Sequence, residues 1–470
     1  MKYINRHKQI LWILAITIVF RLLLYPLSES FILLQYDSDS YSKFTENVFS
    51  GPQLRTPLYP LFIMFVRFIS FSPDGYIPIV IAQEIVSLVS LVFMYKIVTR
   101  YTQNSKMIYI LTLAYSLQPT IWHWNKCILT ESLSISFSVI FAWILIYHLD
   151  KPKIWSAITL TAGSFLLVML RASFLALFAV IIAFWIVRFF ISKTDRKQSI
   201  IGFGSSLFCV FLLFGYMHLN YLQHGWKSIT NVSTANQIMN LIDSELYENP
   251  NYQDLTDSLT QNKYWYDRKN MFFYLAWTPV SEEFGSTFEP QYVQSYVKDT
   301  IKLHLADYIR YTGRKFINLA GVPVLSVIPL STPTSLWNDI LAGSFDFAAH
   351  EAQMTETSEH WNIITIVLLA FFMFPVFFLF VYIYLSWAFI YTIVKWLKGK
   401  PDWIDLGFSL IIISQLVTIV ISVSDDHGRL FQPALPFLFA LVYKHISEGK
   451  FDWLKMKWID KIFEKQGSNS

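Results

Sequence analysis

The sequence predicts an all-α polytopic membrane protein with about ten spans, and three observations lead there. Hydrophobic residues make up 54% of the 470 residues and charged ones 15%, against about a quarter charged in soluble domains. The apolar residues fall into runs of about 17–25, the length a helix needs to cross the hydrocarbon core. Lys and Arg collect in alternate connections between those runs. Aromatics supply 18% of the chain, including 41 Phe; Phe suits lipid-facing positions, Trp and Tyr the interfaces.

Taken in order, spans are expected at 9–28, 77–98, 105–123, 128–148, 154–170, 173–190, 199–219, 361–384, 404–423 and 430–446. No small-residue cleavage site follows the first run, so it reads as a retained span rather than a signal peptide. Residues 57–71 are apolar but short and contain Arg67, which predicts a helix lying in the outer interface. The run 361–394 is long, with Pro375 placed to kink it and room for a re-entrant piece. Residues 220–360 are polar and without a repeat, and predict one mainly helical loop domain. Its stretch 316–330 is apolar enough to lie back on the membrane. The organisation is therefore a transmembrane module at 1–219 with a first loop at 29–76, the loop domain at 220–360, C-terminal spans at 361–446 and a tail at 447–470. That tail reads either as a basic amphipathic helix on the inner leaflet or as a solvated segment.

Orientation follows from the cations. Lys2, Arg6 and Lys8, then Lys96, Arg100 and Lys106, then Lys151 and Lys153 fall in alternate connections. Arg188, Lys193, Arg196 and Lys197 continue the series, followed by Lys395, Lys398 and Lys400 and the tail from Lys444 to Lys465. The positive-inside rule then puts both termini in the cytoplasm and the 29–76 and 220–360 loops outside a cell (plasma or inner) membrane. Cys127 and Cys209 lie in or beside apolar runs and read as core residues. The sequon Asn231-Val232-Ser233 has meaning only in a eukaryotic secretory setting.

Ionisable residues near bilayer depth cost several kcal/mol unless paired or hydrated. Under this topology they gather on the outer face. Asp37 and Asp39 stand in YDSDSY, and Arg55 opens RTPLYPLF. His123 and Lys126 precede Glu131, and Arg171 stands at the turn between spans five and six. Asp425, Asp426, His427 and Arg429 precede the last span. Such a group could hold an anion with arginine and take a proton with a carboxylate. Plainer readings stand beside this one: a solvated carboxylate, Arg55 as an interfacial anchor, Glu84 as a packing or pairing residue, His218 and His224 as caps. Arg171 and Arg429 run against the positive-inside trend and predict a counter-charge or phosphate partner. No HExxH, CxxC or paired His/carboxylate spacing points to a metal. No Walker motif or Gly-rich phosphate loop points to ATP hydrolysis.

An acid with a tyrosine four residues on (Asp37, Tyr41) precedes Arg-x-Pro-Leu-Tyr-Pro from Arg55 through Tyr59 to Pro60. Thr130-Glu131, the single Arg171, and Arg429 followed by Pro433 and Pro436 complete the set. In order and spacing these resemble the GT-C superfamily of membrane glycosyltransferases. The branch they most resemble is that of protein O-mannosyltransferases, lipid A aminoarabinose transferases and their bacterial relatives. The resemblance implies transfer of a sugar, usually with inversion, from a polyprenyl phosphate or diphosphate carrier to a protein, lipid or glycan acceptor on the outer side. It implies an acid of the first outer loop as the catalytic residue. Asp37 matches by its distance to Tyr41. Asp39 is its rival, because the place directly after the first acid, often acidic in the family, is Ser38 here. Glu131 is a further catalytic candidate. Arg55 foremost, with Tyr41, Tyr59, Lys126, Arg171 and Arg429, is expected to hold the donor. No cofactor, metal or nucleic acid is expected, although a divalent ion is left open. The partners are the bilayer, the lipid-linked donor and the acceptor. In the loop domain Trp226, Tyr264, Trp265, Tyr266 and Trp277 are candidates either to stack on a sugar or to anchor the domain at the membrane.

Two other classes compete. An O-antigen polymerase or ligase would also carry outer arginines and a large outer loop, but not the acid followed by RTPLYP. A transporter or lipid flippase predicts ionisable residues deep in several spans and a repeat between halves.

Overall fold

The computed structural model describes residues 2–24, 32, 38, 40–41, 54–71, 75–193, 195–262, 276–282, 286–321, 392, 394–395, 397–398, 402–422 and 431–448. The expectations for Asp37, Asp39, Tyr264, Trp265, Tyr266, Pro375, the 361–384 span, residues 425–429 and the tail beyond 448 lie outside them. The described elements are all helical. Among the described residues five helices are long and apolar enough to cross a membrane: Ile77–Tyr101, Glu131–Asp150, Ala172–Ile191, Arg196–His224 and Trp403–Ile421. The chain is thus a helical membrane protein.

Fifteen α-helices serve the description. They are α1 (Lys2–Leu24), α2 (Leu58–Ser70), α3 (Ile77–Tyr101), α4 (Ser105–Ser116), α5 (Pro119–Lys126), α6 (Glu131–Asp150), α7 (Ile154–Leu170) and α8 (Leu175–Ile191). After them come α9 (Arg196–His224), α10 (Val232–Asp243), α11 (Gln253–Asn262), α12 (Pro290–Leu303), α13 (Leu305–Gly321), α14 (Trp403–Ser422) and α15 (Leu435–Ser447).

The expected span 105–123 is two helices rather than one. Pro119 opens α5; its ring disfavours a helical conformation in the residue before it, and Gln118 is extended at φ −66°, ψ 122°. The Asn104 side chain caps α4 by accepting from the Lys106 and Met107 amides. The stretch 57–71 holds α2, as short as expected, with Phe65, Phe68, Ile69 and the capping Phe71 exposed.

Helix α6 is the centre of the bundle. Of its apolar window 72% is buried, against 28% for α9, which therefore runs along the periphery. Alternate small residues Ser132, Ser134, Ser136 and Ser138 are all buried on α6, and small side chains allow helices to approach closely. Helices α3, α7 and α15 pack on it. Helices α8 and α9 meet tightly at Gly202, where any Cβ would overlap the Trp185 ring. The same indole donates from Nε1 to Thr161 Oγ1 on α7 at 2.9 Å.

Contacts define the two ends of the bundle. At one end Gln9 Nε2 donates to the Ser105 carbonyl (3.0 Å) and Arg100 pairs with Asp150 (2.6 Å). There too Arg188 stacks on Trp403 (5.3 Å) and Lys444 pairs with Asp402 and Asp405. At the other end lie the starts of α2, α3, α6 and α8 and the ends of α7, α9 and α14. Cys127 and Cys209 are both buried and are not joined by a disulfide.

Described residues between Trp226 and Tyr308 form a second, smaller apolar cluster. Trp226, Ile238, Leu241, Leu255, Trp277, Val293, Tyr296 and Val297 fill it, and Leu54 of the first loop joins it. Gly225, at φ +73°, ends α9 in the left-handed conformation that glycine adopts without steric penalty and turns the chain into this region. It docks on α14 by side chains aimed at one backbone carbonyl: Asn240 Nδ2 (3.0 Å) and Tyr308 Oη (3.2 Å) both donate to Ile421 O. Burial pushes the Tyr308 phenol up, which keeps it a donor.

Candidate functional site

The sequence-predicted residues that are described converge at the end of the bundle opposite the cation-rich one. Residues Leu54–Thr56 have no helical or strand hydrogen bonding of their own, so their polar groups are satisfied from elsewhere. Leu54 N donates to Asn231 Oδ1 at 2.9 Å, and Leu54 O accepts from Thr230 Oγ1. The Arg55 carbonyl accepts from Tyr216 Oη on α9 at 3.0 Å. Thr56 Oγ1 donates to the Leu170 carbonyl at the end of α7, 2.8 Å away. The strap is held on three sides, and Arg55 projects from it.

The Arg55 guanidinium lies over the Tyr41 ring, 4.9 Å from its centroid, while Arg55 Nε donates to Ser40 Oγ at 2.9 Å. Tyr41 in turn meets Tyr59 edge-on at 5.1 Å. The arginine and the tyrosine of the two first-loop motifs are therefore in contact, with Ser40 directly following Asp39 in the chain.

Tyr59 is fully buried, and its hydroxyl donates to Gln83 Oε1 at 2.8 Å. Gln83 Nε2 donates to the carbonyls of Asn125 (2.8 Å) and Cys127 (3.0 Å). Those two carbonyls flank Lys126, so Gln83 fixes the backbone on both sides of that lysine. Lys126 is itself buried, with Nζ 4.6 Å from the Trp122 ring.

Arg171 stands in the turn between α7 and α8 in extended conformation, followed by a 3-10 turn at Ala172–Phe174. The turn directs its side chain at Glu131, and Arg171 Nη1 lies 3.1 Å from Glu131 Oε1. Glu131 is the first residue of α6, where the helix dipole favours a carboxylate. The bond from Thr56 to Leu170 joins this pair to the Arg55 strap. The 3-10 turn Gln432–Ala434, which follows the position of Arg429 in sequence, packs against α6.

A second polar network runs beneath. Arg21 pairs with Glu84 at 2.5 Å and bonds Ser87 at 3.2 Å. Glu84 also accepts from Asn125 Nδ2 (3.0 Å), and Asn125 Oδ1 accepts from Ser132 (2.7 Å). Glu84 is thus a pairing residue that ties α1, α3, α5 and α6 together.

Sequence reading passed over Gln83, Asn125, Thr56 and Tyr216, because a lone amide or hydroxyl among apolar residues carries no pattern. Asn231 was visible only as part of a sequon, yet its side chain is buried on the Leu54 amide. Trp226 and Trp277 are buried core residues of the second cluster, so neither presents a ring face to solvent. Among the described residues no group of three or more His, Cys, Asp or Glu is placed to hold a metal ion. A cavity of about 360 Å³ lies at the opposite end of the bundle, walled by Asp150, Arg188, Asp402 and Trp403. Asp150, Arg188 and Asp402 in its wall are paired with Arg100, Asp195 and Lys444.

Comparison of the chain with known protein families, curated proteins and solved structures finds no match.

Proposed function

We propose that this chain is an inverting glycosyltransferase of the cell membrane. It moves a sugar from a polyprenyl-phosphate donor to a protein, lipid or glycan acceptor on the extracytoplasmic face. About ten spans, cytoplasmic termini and an extracytoplasmic 220–360 domain complete the reading. The observation that carries it is the contact of Arg55 with Ser40 and Tyr41, the residues that directly follow Asp39 in the chain. The Glu131–Arg171 pair at the same end adds a second acid and cation. The cations that the positive-inside rule assigns to the cytoplasm, from Arg6 through Arg100, Lys151 and Arg188 to Lys444, share the other end of the bundle.

The chemistry follows from these groups. An acceptor hydroxyl attacks the anomeric carbon as the bond from that carbon to the phosphate oxygen breaks, and the electron pair leaves with the polyprenyl phosphate. Arg55 takes up the charge developing on the phosphate, and a guanidinium does so with two parallel donors. The hydroxyl proton passes to a first-loop carboxylate, Asp37 or Asp39, acting as general base. Arg171, held by Glu131, and Arg429 supply further positive charge. Exposed Phe and Leu on the spans offer the polyprenyl tail an apolar surface. The donor's own glycosyl phosphate bond supplies the driving force.

The test is transfer by the purified protein from a panel of radiolabelled polyprenyl-phosphate sugars, with a membrane extract as acceptor, comparing wild type with Asp37→Asn and Asp39→Asn. Label reaching product with wild type and not with one of the variants supports the reading and selects the base. Absence of both transfer and donor binding across the panel overturns it.

A further inference from the structure

We infer that Tyr216 and Asn231 are positioning residues that set the place of Arg55 for the donor phosphate, an inference that rests on the function proposed above. Both bond to the backbone of the Leu54–Thr56 strap. Tyr216 Oη donates to the Arg55 carbonyl at 3.0 Å, and Asn231 Oδ1 accepts from the Leu54 amide at 2.9 Å. All four residues are buried, so each bond is formed away from water, where a lost partner is costly. The strap has no regular structure to hold it; these bonds, with Thr230 on Leu54 O and Thr56 on Leu170 O, decide where its chain runs. Leu54 adds a plug, since its side chain belongs to the apolar cluster of Trp226, Ile238 and Leu241. The large loop region, together with Tyr216 of α9, therefore helps to locate an arginine far back in the chain, Asn231 lying 177 residues beyond the Leu54 that it holds. An arginine that must meet a phosphate at hydrogen-bond distance is sensitive to displacements of about 1 Å, which gives the loop a role in donor binding distinct from contact with the acceptor.

The test uses the full-length chain in lipid nanodiscs and measures affinity for polyprenyl phosphate. Tyr216→Phe, which removes one O–H and keeps the ring, and Asn231→Ala are each expected to weaken binding about tenfold. Asn231→Asp, which retains the acceptor oxygen, is expected to restore it. In an Arg55→Ala background neither substitution should weaken binding further, because residues acting through one group are not additive. Wild-type affinity in both variants, or full additivity with Arg55→Ala, overturns the inference. Should wild type itself bind no polyprenyl phosphate, the proposed function fails, and hydrogen exchange of the peptide spanning 54–56 decides the positioning claim by itself. Protection lost in Tyr216→Phe and Asn231→Ala supports it, and unchanged protection overturns it.

Discussion

The Arg171 guanidinium meets the Glu131 carboxylate at 3.1 Å, where the turn from α7 to α8 faces the first residue of α6. Both side chains are largely buried, and removing one partner of such a pair leaves an uncompensated charge costing about 3–5 kcal/mol. Arg171→Leu or Glu131→Leu alone should therefore lower the thermal midpoint strongly. The double variant should recover most of the loss, since an apolar pair of similar volume replaces a buried ion pair at little cost. Transfer should stay absent in all three if the pair serves the donor site. Thermal unfolding in detergent beside the transfer assay separates the two effects, and a double variant with restored activity would make the pair purely structural.

The network from Arg21 to Glu84, Asn125 and Ser132 makes a second prediction. Arg21→Leu leaves Glu84 inside the bundle without its cation and should destabilise by about 3–5 kcal/mol. Glu84→Gln should cost less than Glu84→Leu, because an amide oxygen still accepts from Asn125 Nδ2. Size-exclusion thermostability of the purified variants gives the order directly. Equal midpoints for Glu84→Gln and Glu84→Leu would remove the bond to Asn125 from the account.

At Gly202 the prediction is steric. A methyl group there overlaps the Trp185 ring, whose Nε1 is committed to Thr161, so the indole has little freedom to withdraw. Gly202→Ala should cost about 1–3 kcal/mol through overpacking. Trp185→Leu, itself destabilising, should make the added methyl tolerable. If Gly202→Ala has the wild-type midpoint, α8 and α9 lie farther apart than described.

Orientation is open to a direct measurement. Protease added to intact spheroplasts should cleave within 220–360 and leave the 150–154 and 398–402 connections intact, as the positive-inside distribution requires. Cleavage within 220–360 only in inside-out vesicles would reverse the topology and, with it, the face on which transfer is proposed.

How much of this was legible in the sequence depends on the kind of signal. The positions of α3, α6, α7, α8 and α14 follow from uninterrupted apolar runs, because length and hydropathy are local properties that a bilayer reads residue by residue. The break between α4 and α5 was carried by a single Pro119 inside an apolar run and was passed over. Arg55, Glu131 and Arg171 stood out because a charge among apolar residues is expensive. Gln83, Thr56 and Tyr216 did not, because a neutral polar side chain costs little until its burial and partner are known.

The sequence by itself determined that the chain is a helical membrane protein, where most of its helices run and which charges need a partner. Apolar length and charge placement act locally, and the membrane imposes the same demand on every span. Only the tertiary structure decided that Glu131 is the partner of Arg171, that Glu84 is the partner of Arg21, and that Tyr216 and Asn231 hold the backbone around Arg55. Those relationships join residues far apart in the chain, and the choice among possible partners is made by helix packing, which brings particular hydrogen-bonding groups to bonding distance and leaves the others apart.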